Sequence, residues 1–248
     1  MRIVSWNIRA GGGVRAQEIA GQLKDWMPDI VVLEEFRGTN PSREIAQSLR
    51  QYGLEYQRIT IDPSRPTVNS LLVASRWPLR TVRLKRAPID PARWLHVNIA
   101  SHQPMAILAV HIPNRVTGRK YPFMDAAINV IQKWSGPPGI LIGDTNSGRI
   151  GMDEETQTFT AYEDQWLVKI AALGWQDAFR RLHSQKRDFT WYSPNGNNGF
   201  RLDQAFLHPD LTGKLKTMVH SWGGYRGARR DSLSDHAALV LDLDFTAN

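Results

Sequence analysis

The chain has 248 residues, 42% hydrophobic and 22% charged, an ordinary balance for a globular protein with room for one large domain or two small ones. No apolar run approaches the roughly 18 residues that cross a bilayer, and the absence of cysteine excludes disulfides and thiolate metal sites. A net charge of +7 suits a polyanionic partner such as nucleic acid or an anionic lipid surface, but many basic proteins bind neither, so the placement of the cations has to decide.

In chain order, "MRIVSWNIRA" enters a strand with no apolar signal core ahead of it, which predicts a cytoplasmic protein. Short apolar runs then recur: "DIVVLEE" from 29, "NSLLVAS" from 69, "LHVNIA" from 95, "MAILAVHI" from 105, "GILIGD" from 139 and "LDQAFL" from 202. Their length and β-branched content predict strands. Between them lie helical patterns. Residues 16 to 26 place Ile19, Leu23 and Trp26 on one face, and 42 to 52 do the same with Ile45, Leu49 and Tyr52, with Ser42 as the expected cap. Two more helices are predicted over 121 to 134 and 163 to 175, the latter ending at Gly174. In the final run, "LSDHAALVLDLDF", Ala237, Leu239, Leu241, Leu243 and Phe245 alternate, with Val240 interrupting, as in a strand with one buried face. Long helices mixed with many partly alternating strands predict an α+β or layered α/β fold with sheets packed on one another. With no linker or low-complexity tract, a single domain over 1–248 is the economical count.

Several strand ends carry side chains of one chemical kind. Asn7 ends the first strand and Glu34 and Glu35 the second; His111 and Asn114, Asp144 and Asn146, Asp203, and Asp235 with His236 mark the others. Alone, Ser234-Asp235-His236 is as readily a turn as a site. Together the positions form an oxygen-rich set that suits a hard ion such as Mg²⁺ or Mn²⁺ better than Zn²⁺. Sites in layered α/β proteins gather at strand ends, which would bring these distant residues together.

"SWNIR", "PDIVVLEE", "GDTN", "RLDQAFL" and "SDH" occur in the order and approximate spacing of the endonuclease/exonuclease/phosphatase superfamily, which the chain resembles from residue 2 to 245. That superfamily includes exonuclease III-like AP endonucleases, pancreatic-type DNases, sphingomyelinases and inositol-polyphosphate 5-phosphatases. Each motif is weak alone, and five in order are specific. The resemblance implies a four-layer α/β/β/α sandwich, two packed mixed sheets flanked by helices, and metal-dependent attack of water on a phosphoester. It implies metal-binding roles for Asn7 and Glu35, with Glu34 standing where the family usually has Gln, and places Asp235 near the metal. Asp144 matches the carboxylate that orients or deprotonates the attacking water, Asn146 the carboxamide beside it, Asp203 the support of the last His, and His236 the imidazole facing the phosphate.

These residue types suit that chemistry. A phosphodiester repels an anionic nucleophile, so a divalent ion on its oxygens helps both attack and departure of the leaving alkoxide. A positioned carboxylate can accept the proton of water, an effect worth about 10²- to 10⁴-fold. An imidazole held protonated by a carboxylate would meet the phosphate as a cation.

The segment "AVHIPNRVTGRKYPF" resembles the AP-endonuclease stretch Tyr-x-Pro-Asn followed by basic residues, but has His111 where those enzymes have Tyr and DNases and sphingomyelinases have His. Asn114 and Arg115 match substrate-phosphate contacts of the nuclease branch. Trp191 either stacks on a base or abasic sugar or packs in the core. Cations cluster in 114 to 121, 179 to 187 and 225 to 230, where Arg226, Arg229 and Arg230 either grip a nucleic-acid backbone or are solvated. The segment "TNSGRIGMDEETQTF" is acidic where a DNA-gripping loop would be basic. The expectation is a monomeric, Mg²⁺- or Mn²⁺-dependent phosphodiesterase acting on DNA, with a small-molecule or lipid-headgroup phosphoesterase as the alternative.

Overall fold

The computed structural model describes residues 1–224 and 232–246. The chain begins β1 (Arg2–Asn7), α1 (Ala16–Trp26), β2 (Ile30–Phe36), α2 (Asn40–Gln51), β3 (Tyr56–Ile59), β4 (Ser70–Ser75). It continues β5 (Leu79–Thr81), β6 (Trp94–Ile99), β7 (Met105–His111), α3 (Lys120–Gln132), β8 (Gly139–Asp144), α4 (Ala161–Ala172), β9 (Gln176–Asp177), α5 (Ala178–Leu182). A small hairpin, β10 (Trp191–Tyr192) and β11 (Gly199–Phe200), precedes β12 (Asp203–Leu207), α6 (Pro209–Thr212), β13 (Leu215–Ser221) and β14 (Ala238–Leu243).

Two six-stranded mixed sheets result, ordered β13-β14-β1-β2-β4-β3 and β5-β6-β7-β8-β12-β9. The parallel pairs β1/β2 and β7/β8 are each joined through a helix, the connection that parallel neighbours require. Period-two alternation then sorts the side chains. Ile3, Ile30, Val32 and Val73 of the first sheet meet Ile107, Ala109, Ile140 and Ile142 of the second in a central core. Their neighbours Val4, Trp6, Val31 and Leu33 face outward beneath Ile19 and Leu23 of α1 and Ile45 and Leu49 of α2. On the far side Leu108, Val110, Leu141 and Phe206 lie beneath Phe123 and Met124 of α3 and Trp166 and Ile170 of α4. The order helix, sheet, sheet, helix is the four-layer sandwich implied by the sequence.

The apolar runs of the sequence become β1, β2, β4, β6, β7, β8, β12 and β14, and the four helical patterns become α1 to α4. Three expectations need correction. Val240 does not interrupt β14: Leu239, Leu241 and Leu243 enter the central core, Ala238 and Val240 enter the outer one, and the strand is buried on both faces. Ser42 does not cap α2, which starts at Asn40 after Thr39; its buried hydroxyl accepts from the Arg37 amide at 3.1 Å and donates to the Gly11 carbonyl at 3.0 Å. The cap of α4 lies before residue 163, where Thr160 and Glu163 form a reciprocal capping box, while Gly174 (φ 86°) ends the helix as expected. No helix among the described residues is long and apolar enough to cross a membrane.

Candidate active site

The polar strand ends continue the inward-facing stripes of the central core. Ile107 and Ala109 point between the sheets, so His111, two residues on, does too; the same parity carries Ile140 and Ile142 to Asp144, and Leu207 and Ala205 back to Asp203. Strand register sets His111 opposite Asp144 and Asp144 opposite Asp203. On the first sheet the stripe from Ile3 reaches Asn7 and the stripe from Ile30 and Val32 reaches Glu34, and Asn7 pairs with Glu34 in register. His236, just ahead of β14, forms an antiparallel bridge with Trp191.

The two glutamates of "LEE" diverge because β2 bulges between Leu33 and Phe36, with Glu35 at φ 57°. Glu34 stays on the inward stripe, fully buried, and the Ser5 hydroxyl donates to its Oε1 at 2.6 Å. Burial pushes its carboxyl well above the usual carboxylate range. Glu35 instead lines the cleft, its Oε2 accepting from the Ala10 amide at 2.7 Å.

At the centre, Asp144 accepts from Asn7 Nδ2 at 3.1 Å and from the Asn146 amide at 2.9 Å, with His111 Nε2 at 3.6 Å. Burial raises the pKa of Asp144; the His236 cation opposes this and the Asp203 charge adds to it. Burial, with Arg93 and His236 nearby, holds His111 well below its ordinary value, hence neutral. For His236 burial also disfavours the charged ring, but Asp203 Oδ2, 2.9 Å from Nδ1, outweighs it and, with Asp144 and Asp235, raises the pKa to about 10. The backbone around His236 is fixed from the first sheet: Trp6 Nε1 donates to its carbonyl at 2.9 Å, and Ser234 Oγ accepts from its amide at 3.2 Å while donating to the Asn7 carbonyl at 2.5 Å.

These groups open into a cleft of about 510 Å³. Glu35 and Asp235 lie on its lining with Asp144, Asn146, His111 and His236; Asn114 and Arg115 also reach it. Phe159, Phe200, Leu202 and Trp191 form an apolar wall. Trp191 combines both readings of the sequence: it packs on Phe200 with ring centroids 5.9 Å apart, and presents a half-buried face to the cleft 6.4 Å from the His236 ring. Arg226, Arg229 and Arg230 lie outside the described residues.

The sequence did not flag Asn69, Arg93, Lys120 and Glu163, which line the same cleft. Asn69 is held by Arg37 Nε at 2.6 Å, and the buried Lys120 ammonium donates to the Asn146 carbonyl and the Glu163 carboxylate. Lys120 had a signal, its place in the basic run ahead of a helix; Asn69 and Arg93 stand in no motif. Two charge assignments change. In the 179–187 cluster, Arg180 is an internal residue that pairs with buried Asp153, which Arg201 Nε also contacts at 2.8 Å. Glu154 of the acidic loop is turned into the fold as well, its Oε2 accepting the amides of Thr158 and Phe159, whereas Glu155 stays exposed.

Asp144, Asp203 and His236 bring potential ligand atoms within 4.8 Å of one another. In that cluster His236 Nδ1 is already committed to Asp203 Oδ2, at 2.9 Å. The oxygens of Asn7, Glu35 and Asp235 fit a hard cation better: two carboxylates on the cleft and an amide oxygen whose bond from the Arg9 amide at 3.0 Å leaves a second lone pair.

The endonuclease/exonuclease/phosphatase family model matches residues 4–236. The chain belongs to that family. Membership supports a phosphodiester hydrolase, and enzymes of this family are generally dependent on divalent metals. Among solved structures, an AP endonuclease from Archaeoglobus fulgidus superposes with a TM-score of 0.80 at 20% identity, covering 98% of this chain and 99% of that one. A 3'-5' exonuclease (NExo) from Neisseria meningitidis gives 0.75 at 22% identity, covering 99% and 100%. A structure described as 3' phosphatase NExo from Neisseria bound to a product DNA hairpin gives 0.75 at 21%, covering 99% and 100%. Comparison with curated proteins returns no match.

Proposed function

We propose that this family member is a monomeric nuclease that hydrolyses DNA phosphodiester bonds with Mg²⁺ or Mn²⁺. The observation that carries this is the charge zoning of one cleft. Carboxylates of Glu35 and Asp235 lie on its lining, a buried base and acid pair, Asp144 and His236, lies at its floor, and Arg93 and Arg115 supply positive charge. Asn7, Glu35 and Asp235 would hold the ion, which supplies neutralisation of the phosphate oxygens and of the leaving alkoxide. Asp144, its pKa raised by burial, accepts the proton of the attacking water, and Asn7 and Asn146 hold its two oxygens in place. His236, kept protonated by Asp203, faces the phosphate, and neutral His111 packs beside Asp144. Asn114 and Arg115 engage a substrate phosphate, Trp191 offers a face to a base or sugar, and Arg229 and Arg230 add grip on the backbone. The Neisseria structure's DNA hairpin supports the choice of DNA, as does the loss of the acidic loop as an argument against it.

The test is a cleavage panel with Mg²⁺ or Mn²⁺: plasmid, single-stranded DNA, duplex with an abasic site, RNA, bis-p-nitrophenyl phosphate and sphingomyelin. DNA should be cut, with binding that weakens steeply as salt rises. Cleavage of sphingomyelin or the small diester with no DNA affinity at low salt would replace the nuclease by a lipid or small-molecule phosphoesterase. Elution as a dimer in size exclusion would contradict the monomer.

A further inference from the structure

Shortly after Asn7 the backbone runs through consecutive left-handed residues, Arg9, Ala10, Gly11, Gly12 and Gly13, at φ 51°, 55°, 73°, 82° and 53°. Glycine accepts this region freely, whereas Arg9 and Ala10 are disfavoured there, so the surroundings must hold the turn. Its amides point at the proposed ligand residues. Arg9 N donates to Asn7 Oδ1 at 3.0 Å, Ala10 N to Glu35 Oε2 at 2.7 Å, and Gly11 N to the Glu35 carbonyl at 2.8 Å. Neighbours leave little room for anything but glycine: a Cβ on Gly11 would stand 2.8 Å from Ser42 Oγ, and one on Gly12 2.9 Å from Ile45 Cδ1.

Arg15 closes the turn and ties it to the segment ahead of β14. Its Nη2 donates to the Arg9 carbonyl at 2.7 Å, and its Nη1 donates to the carbonyl of Leu233, two residues before Asp235. One half-buried guanidinium therefore links the arm that holds Asn7 and Glu35 to the segment that carries Asp235 and His236. The Arg9 side chain leans the same way, with Nε 3.9 Å from Asp235 Oδ2.

We propose that Arg15 is a positioning residue for the metal: by bridging the Arg9 and Leu233 carbonyls it sets the separation of the Glu35 and Asp235 carboxylates. This rests on the metal-dependent reading above. A purely electrostatic role has the opposite sign. A cation beside ligand carboxylates repels a divalent ion, so removing its charge would tighten binding, whereas removing a geometric brace loosens it. Lysine separates the two further, because it keeps the charge but lacks the planar fork that spans two carbonyls.

The measurement is Mn²⁺ affinity of the full chain, read as free Mn²⁺ by electron paramagnetic resonance, for wild type, Arg15→Ala, Arg15→Lys and Arg2→Ala, with urea unfolding of each. Arg2 braces the opposite end of β1 to Asp242 and the Trp26 carbonyl, so its variant shows what lost stability alone does. Both Arg15 variants should raise the Mn²⁺ Kd by roughly tenfold, at the lower end of the losses seen when groups behind metal ligands are removed, and Arg2→Ala should leave it unchanged. Unchanged or tighter binding in Arg15→Ala, or wild-type affinity in Arg15→Lys, overturns the inference; if the alanine variant does not fold, the lysine variant decides. A wild type that binds no Mn²⁺ overturns the metal-dependent reading itself and takes this inference with it.

Discussion

Asp203→Asn removes one negative charge from beside a buried imidazole and keeps nearly the same shape. Burial alone would push His236 below its ordinary 6.5; the carboxylate 2.9 Å away reverses that and carries it to about 10. Without the carboxylate charge the ring returns to about 6.5 or lower, since the burial remains. At pH 8 a group of pKa about 10 is about 99% protonated and one of about 6.5 only about 3%, so loss of the proton alone predicts a fall in kcat of about 30-fold. At pH 6.5 the same calculation gives a fall of about twofold. The assay is kcat on bis-p-nitrophenyl phosphate from pH 5.5 to 9 at saturating Mg²⁺, read as the ratio of wild type to variant at each pH. A ratio that stays constant with pH would show that Asp203 does not act through the His236 proton. The double variant with His236→Ala should be little worse than His236→Ala alone, because the two side chains act as a unit. Stability follows the same linkage. The folded pKa is raised above the unfolded one, so the pair stabilises fully below pH 6.5 and loses that contribution as pH climbs towards 10, and Asp203→Asn should flatten this slope in urea midpoints.

EDTA should abolish hydrolysis and Mg²⁺ or Mn²⁺ restore it; full activity after rigorous chelation sinks the mechanism. Glu35→Gln should raise the metal concentration needed for half-maximal rate, while Glu34→Gln, at a fully buried carboxyl that is bonded by Ser5 and does not line the cleft, should change it little. The reverse pattern would put the ligand one residue earlier in β2. His96, held at about 4 by burial, should make stability complete above pH 6.5 and erode it as pH falls towards 4, because only the unfolded state takes up the proton in that window. His96→Phe should flatten that acid slope, and an unchanged slope refutes the assignment. Arg201→Leu would leave Asp153 and Asp177 without their shared partner and should cost about 3–5 kcal/mol in urea unfolding, against well under 1 kcal/mol if the network is only decorative.

Much of this was legible in the sequence because period two does double work. The alternation that makes Ile107, Ala109, Ile140 and Ile142 core residues also aims His111 and Asp144 between the sheets, so like polar residues at the ends of several apolar stripes point to one common place. The strands that escaped notice have little to bury: β13, on an edge, hides only Met218 and the ring of His220, and β3 is mostly exposed. Charge was misread where pairing is distant. Asp153 and Glu154 looked like acidic surface, yet Arg201 and Arg180, far along the chain, neutralise Asp153 internally. The glycines at 11 to 13 stand in no motif; the Gly11 amide and the Ala10 amide before it find their acceptors only in Glu35, on another strand. Arg15 gave no local signal at all, since its partners sit at Arg9 and Leu233.

The layered fold also accounts for how the proposed labour is divided. The first sheet and its flanking segments supply Asn7, Glu35 and Asp235, and the second supplies His111, Asp144 and Asp203. An ion must be reached through water and exchanged, and the Asp235 side chain is 36% exposed on the cleft with Glu35 partly exposed beside it. Proton transfer needs the opposite setting, a place where water does not level every basicity. Asp144 and His236 are buried, and that burial lifts the one carboxylate and forces the imidazole to depend on Asp203 for its charge. Asn7 belongs to both halves, since its amide nitrogen holds Asp144 while its oxygen remains with the ligand set. An Asp at position 7 would add ligand charge but place a second anion against Asp144, raising that carboxyl further and weakening the site as a base-and-metal pair. In the proposed mechanism the carboxamide is the side chain that would serve the ion and the base at once.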